Sequence, residues 1–387
     1  MQQSKQSIWP DANQEALLRA SLLTEKQALP AWEFWVSHVD IDHLDHGSFR
    51  LLPLLFKNLR RLNVKHELIS KLQGIYKLAW YQNQMLIGKV KIIMEDLNDN
   101  GFEILIFKGS ALSSLYYNDL GVRPMNDFDI LVKNEKAPSA IQFLLKKGWR
   151  SIERPFLNSY LPDDSYFQSL HGDGFKNSDN TEIDLHWHVL AECCNATADS
   201  YFWDDSIDLD TFGFQARTLN ASDHLLHTCI HGTRWNVVPT IRWIADAYKI
   251  LQIESKIIDW ERILKLSEEF KLTLPLLNSF KYLNQLFKGP IPEEVILRLD
   301  STPVSKLSKK EWQKRTSERS ILGAWQADYY HYRVYSSLPK SNKFVSHLFK
   351  LPLFFKNIWG VPSWWRMPIV VAKKLVYRIR TIITRRH

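Results

Sequence analysis

Two aspartates one residue apart, Asp127 and Asp129, stand in the run Arg123-Pro-Met-Asn-Asp-Phe-Asp-Ile-Leu-Val132, and this spacing constrains the chain more than any other feature. On a strand, alternate side chains share a face. Both carboxylates therefore point one way, while Phe128, Ile130 and Val132 point to the other, core-facing side. Two converging anions repel, and a divalent cation bound through carboxylate oxygens is the usual remedy.

The residues upstream support an anion-handling site. Glu103-Ile-Leu-Ile-Phe107 is a short apolar strand that runs into Lys108-Gly109-Ser110 and then a helix-like stretch from Ala111 to Tyr117. A glycine after a strand lets backbone approach a ligand closely, and the N–H groups that open a helix present partial positive charge, so phosphate fits there. Downstream, Thr181-Glu-Ile-Asp-Leu-His-Trp-His188 alternates. Ile183, Leu185 and Trp187 fall on one face, and Glu182, Asp184, His186 and His188 on the other.

A strand, a Gly-Ser turn, a helix and a strand carrying Asp-x-Asp together resemble the nucleotidyltransferase fold of the DNA polymerase beta superfamily. More narrowly, Lys108-Gly-Ser-Ala-Leu112, Tyr116, Arg123-Pro, Asp127-Phe-Asp129 and Ile183-Asp-Leu-His-Trp187 look like a poorly characterised bacterial family known simply as nucleotidyltransferases, over roughly residues 60 to 260. The resemblance implies an α+β fold: a polymerase-beta-like core, with a small mixed sheet flanked by helices, between N- and C-terminal helical regions. It also implies transfer of a nucleoside monophosphate from an NTP, with ATP the expected one. Two Mg²⁺ ions would be held by Asp127 and Asp129, with Asp184 as the third carboxylate and Glu182 in reserve. Gly109 and Ser110 would cradle the triphosphate, and Lys108 and Arg123 would offset charge on the leaving pyrophosphate. Phosphoryl transfer by a kinase, or nucleotide binding without chemistry, would use the same parts.

Several residues keep two readings. Lys108 either pairs with phosphate or snorkels from the strand end. Arg123 precedes proline, so it lies in an extended or turn conformation, and either reaches the triphosphate or neutralises Asp127. Sixteen residues, 111–126, separate Ser110 from Asp127, which is longer than the usual superfamily spacing. Asn220-Ala-Ser222 is expected to cap a helix with His224, His227 and His231 on one face. Those imidazoles suit zinc, or a polar seam beside the catalytic strands. His186, His231 and Arg242 are candidates for a wall of the cleft, although Arg242 can equally form a buried i, i+4 pair with Asp246.

The 387 residues are 45% hydrophobic, enough to bury a substantial core. The pattern divides into a helical region at 1–100, a catalytic core at 101–219, a helical region closing the cleft at 220–300, and a long helix with a basic, aromatic tail at 301–387. Within these, a helix is expected from about Tyr76 to Gly101, strands at 102–107, 127–133, 160–169 and 181–188, helices at 111–118 and 136–147, and one long helix over 308–337. Three cysteines give no disulfide framework. With no signal peptide and no apolar run of membrane-spanning length, a cytoplasmic location is expected. Residues 329–387 hold twelve Lys or Arg and no Asp or Glu, so the chain's net charge of +8 leaves the first 328 residues at about −4. Interleaved tryptophans suit residues 340–387 to an anionic membrane surface at its inner face; nucleic acid, or a helix docked with a solvated basic face, fits as well. The acceptor stays open among sugar, lipid-linked intermediate, peptide and RNA.

Overall fold

Capping and apolar spacing account for most of the helices. Asp11 opens the Ala12–Leu22 helix with a capping box, accepting from Gln14 N–H at 2.9 Å while the Gln14 side chain accepts from the Asp11 N–H at 3.1 Å. The Leu68–Asp99 helix buries Leu72, Ala79, Asn83, Leu86, Val90, Ile93, Met94 and Leu97, a stripe at helical spacing. It begins a full two turns before Tyr76, because that buried face outweighs the roughly 1 kcal/mol cost of Gly74 within the helix. Gly101 follows its end at φ +77°, the left-handed conformation that glycine adopts most easily.

The computed structural model describes residues 8–162, 164–234, 241–316, 332, 345–361, 363–373 and 376. The fold is mixed α+β with helices at both ends. Its seven strands, β1 (Leu105–Ile106), β2 (Phe128–Leu131), β3 (Arg150–Ser151), β4 (Gly172–Lys176), β5 (Glu182–His186), β6 (Ile207–Leu209) and β7 (Ala216–Thr218), form a mixed sheet. The chain divides into two units, residues 1–130 with 202–318 and residues 131–201 with 319–387, and the division falls inside β2.

In the first unit the strand order is β2-β1-β7-β6. β1 runs parallel to β7, with Ile106 opposite Thr218, and β6 pairs antiparallel with β7. Phe128 packs edge-on against Phe212, with ring centroids 5.6 Å apart. The expected helix at 111–118 is a short helix, Lys108–Leu112, that widens into a π turn at Ser113–Tyr117. The long Ser110–Asp127 connection is taken up by this turn and by a loop fixed to the Leu68–Asp99 helix. There the fully buried Asn83 donates to the carbonyls of Leu120 (2.5 Å) and Arg123 (2.9 Å) and accepts from Met125 N–H (3.0 Å). Asp119 accepts from Tyr76 Oη–H at 2.9 Å and pairs with Lys57 at 2.6 Å. After β7, Asn220 accepts from Asp223 N–H at 3.0 Å and caps the Ala221–Gly232 helix as its sequence implies. Helices Arg242–Glu254, Trp260–Glu269, Thr273–Phe287, Glu293–Ser301 and Lys306–Thr316 follow. The remainder of the helix expected over 308–337 lies outside the described residues, except Tyr332.

In the second unit β3, β4 and β5 are successive antiparallel neighbours, with Gly172 opposite His186 and Gly174 opposite Asp184. Val132, just past β2, donates to the His186 carbonyl at 3.0 Å. The expected helix at 136–147 is Ala137–Lys146, ended by Gly148 at φ +88°. The strand expected at 160–169 is absent: Asp164–Phe167 is a helical turn, and the strand comes later, as β4. Aromatic spacing misled there, because Phe167 packs its ring on Trp187, whose indole N–H reaches the carbonyls of Phe167 (3.1 Å) and Leu170 (2.5 Å). Gly172 and Gly174 also weaken the strand signal of β4. Among the described residues no helix is long and apolar enough to cross a membrane.

Asn83 holds three backbone groups of the loop that carries Arg123, so Asn83→Ala should strip them of partners in a place water does not reach. The expected cost is about 2–4 kcal/mol, read as a lower urea midpoint with unchanged slope.

Candidate active site

The site in the first unit starts where β1 ends. Lys108 takes φ +53°, a left-handed conformation that costs a bulky residue about 1–2 kcal/mol. Its Nζ lies 2.7 Å from Asp129 Oδ1, with side chains only 14% and 6% exposed. Neither reading of Lys108 named this partner: its ammonium sits on a carboxylate. Asp129 is buried on β2, and Asp127 is half-buried just before it.

Gly109 and Ser110 open the next turn, both buried. A Cβ on Gly109 would stand 2.8 Å from Arg123 Nη1, so the absence of a side chain is what admits the guanidinium. Arg123 forks onto Asp246, Nε to Oδ1 at 2.9 Å and Nη2 to Oδ2 at 2.8 Å. This bidentate partner is neither of those expected, a triphosphate or Asp127. Asp246 also accepts from Tyr117 Oη–H at 2.8 Å, which leaves Arg242 to donate to the Pro124 carbonyl at 2.7 Å. The Arg242–Asp246 helix pair is thus replaced by a tertiary one.

Two buried polar atoms remain here with no hydrogen-bond partner among the described residues: Arg123 Nη1 and Ser110 Oγ. A buried donor left without a partner costs about 1–3 kcal/mol, which argues for a ligand. A phosphate oxygen, able to accept from a guanidinium and from a hydroxyl, has the right chemistry.

The electrostatics favour an anion as well. Burial, then the charges of Arg123 and Arg50, push Arg242 down to about 9, which still leaves it cationic at neutral pH. Burial and Arg123 likewise lower Arg50, against the opposing pull of Asp127 and Asp246. Burial would raise Asp246, but the Arg123 guanidinium outweighs it and holds the carboxyl below its ordinary range. Tyr117 is raised by burial and by Asp246. Arg50 escaped the reading of the sequence, because it lies among the N-terminal helices, after His46–Phe49, with no motif around it.

His224 and His227 are buried on the Ala221–Gly232 helix. His224 Nε2 sits 3.0 Å from Thr218 Oγ1 on β7, His227 meets Phe107 edge-on, and His231 stacks on His227 with centroids 5.6 Å apart. Burial pushes His224 down to about 3 and His227 well below the usual range, so both are neutral.

In the second unit, Asp184 and His186 share a face of β5, with His186 Nε2 3.5 Å from Asp184 Oδ2. Burial alternates from Glu182 to Leu185 as expected, although His186 is itself buried. Glu182, the reserve carboxylate, is engaged by Lys176 at 3.0 Å. The signal missed in the sequence is Gly172-Asp-Gly174. A Cβ on Gly172 would lie 2.8 Å from His186 Nδ1, and one on Gly174 would lie 3.5 Å from Asp184 Oδ1. Gly172 thus makes room for the His186 ring, and Gly174 lies opposite Asp184.

A family model described as uncharacterised nucleotidyltransferase matches residues 48–288. Comparison with curated proteins gives no match. Among solved structures, the chain is similar to an antigenic nucleotidyltransferase-like protein from Paracoccidioides brasiliensis at 12% identity and a TM-score of 0.34, over 59% of this chain and 97% of that one.

Between pH 6.5 and about 3 an unfolded chain holds a proton that native His224 does not, so this residue's contribution to stability is complete above pH 6.5 and is lost as pH falls. His224→Gln keeps a partner for Thr218 without titrating. From pH 6.5 to 5 the parent should lose about 2 kcal/mol more than the variant in urea unfolding.

Proposed function

Since the chain belongs to the uncharacterised nucleotidyltransferase family, we propose that it transfers a nucleoside monophosphate from an NTP, ATP in the first instance, to an acceptor hydroxyl. The acceptor oxygen bonds to the α-phosphorus as the α–β anhydride bond breaks, pyrophosphate leaves with the electron pair, and a carboxylate takes the hydroxyl proton. The observation that carries this reading is the pair of buried groups beside Gly109, Arg123 Nη1 and Ser110 Oγ, which a triphosphate oxygen would satisfy. Arg50 and Arg242 add positive charge where pyrophosphate gathers negative charge.

Asp127, Asp129 and Asp184 are the proposed metal ligands, with His186, which shares its strand face with Asp184, offering a further nitrogen. Carboxylate oxygens suit Mg²⁺, and an imidazole among them also admits Mn²⁺. Two such ions, when bound, would screen the triphosphate and stabilise charge on the attacking and leaving oxygens. Lys108 would give up Asp129 and turn its ammonium toward phosphate. Asp184 would face the acceptor and His186, His231 and Arg242 would border the cleft.

The test is label transfer from ATP, with Mg²⁺ or Mn²⁺ and fractionated cell lysate as the source of acceptor. Label from the α-phosphate should enter one fraction, and Asp129→Asn should lower the rate by about 10²–10³ with the fold intact. Label entering only from the γ-phosphate would make the protein a kinase, and Asp129→Asn turning over like the parent would dismiss the metal assignment. Arg50→Ala should raise KM for the nucleotide about tenfold with little change in melting temperature, since its side chain is half-exposed.

A further inference from the structure

The second unit contains an apolar surface that its own packing does not use. Within Val345–Ile358, Phe354 is fully buried and meets Tyr332 edge-on, and Asn357 is 4% exposed. Gly360, at φ +59°, lies so close to the Phe156 ring that any side chain would collide with it, and Val361 is buried beyond it. This stretch is therefore anchored. The residues that follow are not: Trp365 is 90% exposed, Trp364 49%, Ile369 57% and Val376 50%.

Residues 367–373 are helical, and Ile369, Lys373 and Val376 recur at helical spacing on one face. Exposed Arg366 and Lys373 border the apolar groups, and Lys356 Nζ sits 6.0 Å from the centroid of Trp364. Residues 329–387 hold no Asp or Glu, so the charge of the whole stretch is positive.

We infer that the surface made by Trp364, Trp365, Arg366, Ile369, Lys373 and Val376 docks on an anionic phospholipid bilayer. Indole rings settle at headgroup depth, aliphatic side chains enter the acyl boundary just below, and flanking cations meet lipid phosphates. The positive charge of the whole stretch complements that one partner. Nucleic acid also answers to cations and aromatics, but it gains nothing from burying Ile369 and Val376, which have no π-face to offer a base. Membrane docking would bring the transferase to acceptors that reside in, or are delivered at, a lipid surface.

The experiment is co-sedimentation of the full chain with vesicles of phosphatidylcholine alone, or containing about 30% phosphatidylglycerol, at about 0.1 M salt. Binding to the anionic vesicles should exceed binding to the neutral ones at least tenfold and fall as salt rises. The double substitution Trp364→Ser, Trp365→Ser should weaken it about tenfold, and Arg366→Glu, Lys373→Glu should remove the preference for anionic lipid, both with unchanged circular dichroism. Equal binding to the two vesicles, or a tryptophan variant that sediments like the parent, would overturn the inference. So would a single-stranded RNA oligonucleotide whose binding falls with the tryptophans while vesicle binding does not.

Discussion

The forked bond from Arg123 to Asp246 organises the first unit's site. It ties the loop before β2 to the Arg242–Glu254 helix and is nearly sealed from water. Two charges so deeply buried are stable only as a pair, because loss of either partner strands the other at a cost of about 3–5 kcal/mol. The fork also uses two of the guanidinium's three nitrogens and directs the third at Gly109. Asn83 positions the loop from one side and Tyr117 supports Asp246 from the other. The same contacts that stabilise the fold thus leave one donor aimed at the glycine-serine turn.

Around this pair the charges do not balance. The four described cations Lys108, Arg50, Arg123 and Arg242 outnumber the three described anions Asp127, Asp129 and Asp246 by one charge. A triphosphate alone would reverse that balance strongly, and two divalent cations delivered with it would restore it. Lys108 fits such an exchange: it neutralises Asp129 from a strained backbone position, and an ammonium on a flexible stem can move where a guanidinium fork cannot.

Much of this was legible in the sequence because it depends on local period. Asp129 and the alternation from Glu182 to Leu185 read correctly onto strands, and the Asn220 cap appeared where its side chain predicts, whereas Asp127 falls on the bend just before β2 and Gly109-Ser110 lie inside the short Lys108–Leu112 helix. What escaped is tertiary. The spacing of Arg242 and Asp246 suggests a helix pair, yet Asp246 is claimed by an arginine 123 positions away. Arg50 carries no local mark, since only chain folding brings it toward Asp127. β4 was misplaced because its glycines, which make room opposite Asp184 and His186, carry the composition of a turn.

Diffraction from crystals soaked with Mn²⁺ and a non-hydrolysable ATP analogue, recorded at the manganese absorption edge, would test the central claim most directly. The account predicts an anomalous peak about 2.0–2.2 Å from carboxylate oxygens of Asp127 and Asp129, with Lys108 withdrawn from Asp129 and a phosphate oxygen on Arg123 Nη1 and Ser110 Oγ. Nucleotide bound elsewhere, with the Lys108–Asp129 pair intact and no peak at these aspartates, would contradict it.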